Sequence, residues 1–111
     1  MRTRSYLYLA VADARLDHPV EAKENFRRMI QLDQGFLPGL LLYTSFIVTS
    51  PKNIADIPDL ELLRSALKGI IDSSPESASE QSIDEHNAEA KRAAGLLQNV
   101  ERRLNELQMM Q

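Results

Sequence analysis

Apolar residues recur at helical spacing in five stretches of this chain, and no run sustains the alternation of a half-buried strand. In the first stretch Leu7, Ala10, Val11 and Ala14 fall on one face at the i, i+3, i+4, i+7 spacing, which predicts a helix from about Arg4 to Leu16. Asp17-His18-Pro19 breaks it, because proline cannot continue a helix but suits the first turn of the next, with Asp17 or His18 as the cap. The second helix, Pro19 to Leu32, buries Ala22, Phe26, Met29 and Ile30 and turns Lys23, Glu24, Arg27 and Arg28 to water. Gly35 is its expected stop, since glycine tolerates the left-handed conformation that ends many helices.

The third stretch, GFLPGLLLYTSFIVTS, has only Thr44 and Ser45 as polar residues between Leu40 and Val48. It is too short to span a bilayer and predicts a buried helix over Leu37–Thr49. A buried strand competes, because Tyr43, Thr44, Phe46, Ile47 and Val48 favour sheets, but a lone strand has no partner here. Ser50 to Pro58 reads as a loop or extended corner. A fourth helix follows to about Ile71, with Leu60, Leu63, Leu67 and Ile70 as its stripe.

Residues 73–82 are rich in Ser and Glu, with Ala78 their one apolar residue, and predict a mobile surface loop. The fifth helix, about Ile83 to Gln108, opens on Ser82 and Glu85 in the capping-box pattern. Along it Ile83, Ala90, Leu97 and Leu104 repeat every seven residues, with His86, Ala93, Val100 and Leu107 three positions after each. Such a seam packs on the domain's own helices or on a second copy, and Leu97, Val100, Leu104 and Leu107 are its candidate self-association residues. The expectation is an all-α, antiparallel array of about five helices. Residues 1–72 form two helical hairpins, 73–82 a loop, and 83–111 a capping or coiled-coil helix.

Composition narrows the function more than the fold. The chain's 111 residues fit one domain, and 43% hydrophobic residues suffice for a core. A net charge of -3 argues against a nucleic-acid face and against a polybasic membrane segment. With no Cys there is neither a disulfide framework nor a thiolate site. Arg2 and Arg4 ahead of Tyr6–Ala12 faintly resemble a signal peptide. That apolar run is minimal and Asp13 follows at once, so it reads as the first amphipathic helix of a cytoplasmic protein. An exported accessory subunit of an envelope or secretion complex is an alternative reading.

The first two helices carry a narrower pattern. Tyr6 precedes Leu9 and Ala10; Ala22, Phe26 and Met29 follow, and Leu32-Asp33 closes the unit. Residues Tyr6 to Gln34 thereby resemble the tetratricopeptide repeat, a 34-residue helix-turn-helix. Asp13, Met29 and Gln34 depart from it, standing where the family commonly has Tyr, a small residue and Pro. Leu40, Tyr43 and Thr44 echo Tyr6, Leu9 and Ala10 at a spacing of 34, and Leu63 and Ala66 fit as the late pair of a more degenerate second unit, extending the likeness over about residues 4–71. The resemblance implies a protein-binding groove lined by the first helix of each unit. Here that face carries Arg4, Leu7, Val11, Ala14 and Arg15, and Leu7 stands where a carboxylate-clamp version would need Asn. The competing reading makes Leu7, Val11 and Ala14 core.

No catalytic constellation is present in the sequence. His18 and His86 lie 68 positions apart, the four glycines are scattered, and no G-x-S-x-G occurs. His86 among Asp84, Glu85 and Glu89 offers one nitrogen ligand at poor spacing, so no metal and no cofactor is expected. The expectation is a non-enzymatic adaptor or assembly module for another protein or an amphipathic peptide segment. A homodimer through the fifth helix is the alternative, and neither nucleic acid nor membrane insertion is expected.

Overall fold

In the computed structural model, residues 2–72 and 80–111 are described, with side chains of the second segment from residue 87 onward. Among them are five α-helices: α1 (Thr3–Arg15), α2 (Pro19–Leu32), α3 (Leu37–Thr49), α4 (Ile57–Asp72) and α5 (Glu80–Met109). A single 3₁₀ turn, Ile54–Asp56, leads into α4. No strand occurs among the described residues, so the apolar third stretch is a helix. The protein is all-α.

Local chemistry sets the helix ends. At the end of α1, the His18 N–H donates to the Asp13 carbonyl at 2.8 Å and the Asp17 N–H to the Ala14 carbonyl at 3.2 Å. This is a Schellman closure, and it places Asp17, rather than a glycine, at φ 59°. Neither residue expected to cap α2 through its side chain does so: Asp17 is spent on the turn, and His18 occupies the cap position without a side-chain bond. Gly35 is not left-handed. Asp33 ends α2 in extended backbone, and its carboxylate accepts the Gly35 N–H at 3.1 Å. The 3₁₀ turn starts on Asn53, whose side chain accepts from the Ala55 N–H at 2.9 Å. At the other end of the chain α5 is already helical at Glu80, so Ser82 is not its N-cap. The Ser82 and Glu85 side chains lie outside the described residues, as do residues 73–79 of the expected loop.

α1 and α2 form one extended antiparallel pair, and α4 and α5 form another. α3 lies between the pairs and touches all four other helices. The sequence reading pairs the third helix with the fourth; in the structure α4 makes its larger contact with α5. The reason is apolar area. The α4 stripe Leu60, Leu63, Leu67, Ile70 and the α5 seam Ala93, Val100, Leu104, Leu107 are both buried in the core. The described residues span 44 × 35 × 18 Å, the short dimension being two helix layers. Alternate helices α1, α3 and α5 make one layer, α2 and α4 the other.

Two devices lock the layers. Gly39 lets α3 approach α2 closely, for a Cβ there would collide with the buried Met29 thioether. Phe26 of α2 stacks on Tyr43 of α3 with ring centroids 4.7 Å apart and meets Phe46 at 5.7 Å.

Candidate interaction surface

α3 contains no charged residue, although one of its faces is open to water. Leu40, Tyr43, Thr44 and Ile47 are buried, whereas Pro38, Leu41, Leu42, Ser45 and Thr49 are exposed. An amphipathic surface helix ordinarily puts charge at such positions. Here Leu41 and Leu42 remain 48% and 41% exposed.

The two leucines face different neighbours. Leu42 borders α1, where Leu7, Tyr8, Val11 and Arg15 complete a shallow depression. Tyr8 is 66% exposed. Leu41, with Leu37 and Pro38, faces Arg92, Gly95, Leu96 and Asn99 of α5 across a groove of about 590 Å³. The groove continues past Asn99 toward Val48, Arg102 and Glu106. α3 and α5 run parallel along it, Leu37 and Leu41 facing Glu89 to Asn99 and Val48 facing Asn99 to Glu106, and Arg103 donates to the carbonyls of Ile47 at 3.2 Å, Val48 at 2.6 Å and Ser50 at 3.1 Å. The guanidinium thus caps the carboxyl end of α3, where the helix dipole favours a cation. Lys52 pairs with Glu106 beside it, and that hydrogen bond holds the Glu106 carboxyl below its ordinary range.

The five residues of the first-helix face are not one site. Leu7 is only 7% exposed and belongs to the core, with its edge at the floor of the α1–α3 depression. Val11 is half-buried against the core and, with exposed Arg15, lines that depression. Ala14 lines a separate depression with Asp17, Lys23, Phe46 and Asn53. Arg4 is exposed and lines neither. Of the candidate self-association seam, Val100, Leu104 and Leu107 are buried within the chain's own core, and Leu97 is half-buried against it. A second copy cannot reach them without displacing α4.

Sequence reasoning missed Leu41, Leu42 and Leu96. The available signal was the lack of any charge at positions 38, 41, 42, 45 and 49, which was absorbed into a reading of α3 as wholly buried. It also missed Asp56 and Asp59. Lys23 and Arg27, expected to face water, reach across to them from α2. Arg27 Nε and Nη2 donate to the two oxygens of fully buried Asp59 at 2.8 and 3.1 Å, and the Tyr43 hydroxyl donates to the same carboxylate. The hydrogen bond to Asp59 raises the Arg27 pKa, while burial foremost, then the Asp59 bond, raises that of Tyr43. Asp56 and Asp59 sit at the amino end of α4, where the dipole favours carboxylates. The cluster is sealed from water on the carboxylate side, so it joins helices and offers no reactive group to a substrate.

Among the described residues no three His, Asp or Glu side chains gather in a metal-binding group, and no helix is long and apolar enough to cross a membrane. The His86 side chain lies outside them. Comparison of the chain with family models, with curated proteins and with solved structures finds no match.

Proposed function

We propose that this protein is a non-enzymatic interaction module of tetratricopeptide-like type, and that it holds a segment of another protein on the face shared by α1, α3 and α5. The observation that carries the reading is the uncharged, exposed face of α3, with Leu41 and Leu42 open between grooves on either side. Exposed apolar surface gathered in grooves and rimmed by polar residues marks interaction sites. The two-layer alternation of helices supports the repeat resemblance, as does the burial of Ala10, Ala22 and Phe26 at its packing positions. The exposure of Leu9 and the modest α3–α4 contact mark how far the chain departs from a regular repeat.

The test is a selection from a displayed random-peptide library on the immobilised protein, with a Leu41→Asp/Leu42→Asp variant as the counter-screen. Both positions are solvent-facing, so the variant is expected to keep its helicity and melting temperature. Peptides retained by the native protein and lost on the folded variant support the reading. A selection that enriches nothing, or enriches equally on both, removes it.

A further inference from the structure

The α3–α5 groove is built asymmetrically for its occupant. It follows α5 from Glu89 to Glu106, about 26 Å at the rise of an α-helix. Its floor is apolar between Glu89 and Asn99, where Leu37, Leu41 and Leu96 lie, and mainly polar from there to Glu106. Gly95 lies beside these leucines in the interior of α5, and a Cβ there would meet nothing within 4 Å. Internal packing therefore does not require a glycine, although glycine is the poorest helix former after proline. What its missing side chain does is leave the groove open down to the α5 backbone.

The charges at the rim are also uneven. Among the described residues, Glu106 is engaged by Lys52 and Arg103 by the α3 carbonyls. Arg92 and Arg102 on α5 have no ion-pair partner among those residues, and the carboxylates on the same rim are Glu89 and, beside Arg102, the Lys52-paired Glu106. A chain of net charge -3 thus presents a locally cationic edge along this groove, where Arg92, Arg102 and Arg103 outnumber Glu89 and Glu106. That sign reversal selects the partner.

We propose that the α3–α5 groove seats an acidic amphipathic helix from a partner protein, about 17 residues long from the groove's length. Its apolar side chains enter over Gly95 between Leu41 and Leu96, and its carboxylates meet Arg92 and Arg102. The proposal rests on the interaction reading above and names the occupant of one of its grooves. A helix fits better than an extended strand, because the groove is a seam between two parallel helices and every strand edge is absent among the described residues.

Two fluorescent model helices of about 18 residues, sharing one Leu/Ala stripe and flanked by Glu in one and Lys in the other, are the probes. Anisotropy titrations are run at roughly 50 and 300 mM salt, which bracket strong and weak screening. The acidic helix is expected to bind at least about tenfold tighter than the basic one, with the advantage shrinking at high salt. Gly95→Leu should fill the groove and Arg102→Glu should reverse its edge, each weakening the acidic helix about tenfold or more. Gly95→Leu replaces a helix breaker with a helix former, so its melting temperature should be no lower than the native one, which separates blocked binding from misfolding. Equal binding of the two probes, or acidic binding indifferent to Gly95→Leu, overturns the proposal. If neither probe binds while library peptides are still lost on the Leu41→Asp/Leu42→Asp variant, the occupant is wrong and the interaction reading stands. If the library also yields nothing, both fall.

Discussion

Asp17 holds a left-handed backbone at φ 59° to close α1, a conformation that costs an L-residue energy that glycine does not spend. Asp17→Gly is expected to stabilise the fold by roughly 0.5–1 kcal/mol after the greater unfolded-state freedom of glycine is subtracted. The denaturation midpoint should rise at an unchanged slope. Tyr43 makes a second residue-scale prediction. Burial and its bond to Asp59 raise its pKa above the ordinary 10.0, so the folded state holds the phenolic proton more tightly than the unfolded chain. That contribution is complete below about pH 10 and is lost progressively above it. Alkaline titration of stability should therefore fall from about pH 10, and Tyr43→Phe should flatten the decline while lowering stability at neutral pH. Neither residue was readable in this role: αL strain at a non-glycine and a partner 16 positions away both depend on where the chain has already been placed.

At the scale of elements, α3 owes its carboxyl end to a side chain 53 to 56 positions further along the chain. Arg103→Ala is expected to cost about 2 kcal/mol by leaving three carbonyls without a charged donor, with partial recovery in Arg103→Lys, which keeps the charge but loses the fork. Chemical denaturation of the three proteins measures it. The helices themselves were largely legible: α2 and α3 fall at the expected residues, and α1 and α4 differ by one at each end. Proline at the first turns and the 3.6-residue apolar period are local signals, and local signals survive in a bare sequence. The start of α5 was misplaced because Ser82 and Glu85 mimic a cap inside a helix that begins at Glu80. The arginine and lysine of α2 were misread because an i, i+4 cationic pair on a helix looks the same whether it meets water or Asp56 and Asp59.

At the scale of the molecule, the seam of α5 is part of the core, which changes what its disruption reports. Leu104→Asp is expected to unfold the domain, since it buries an unpaired charge among Val100, Leu107 and the α4 leucines. Circular dichroism should lose helical signal and light scattering should show no orderly conversion of a larger species into a smaller one. The heptad spacing was visible in the sequence, but a heptad does not say whether its partner helix is in the same chain. The candidate surface was legible only in part for a similar reason. Val11 and Arg15 were placed near it by resemblance, yet its central residues, Leu41 and Leu42, come from the helix whose apolarity argued for full burial.

Among the described residues α3 contacts all four other helices. Its amide protons should accordingly exchange with solvent only when the whole domain opens, whereas amides of α1 and of the described start of α5 should exchange through smaller openings. The surface assigned to the partner therefore sits on the most slowly exchanging part of the molecule. Binding there meets a rigid platform, and a ligand on α3 should slow the exchange of α1 and α5 more than that of α3 itself. Native-state deuterium exchange with and without a bound peptide measures that difference.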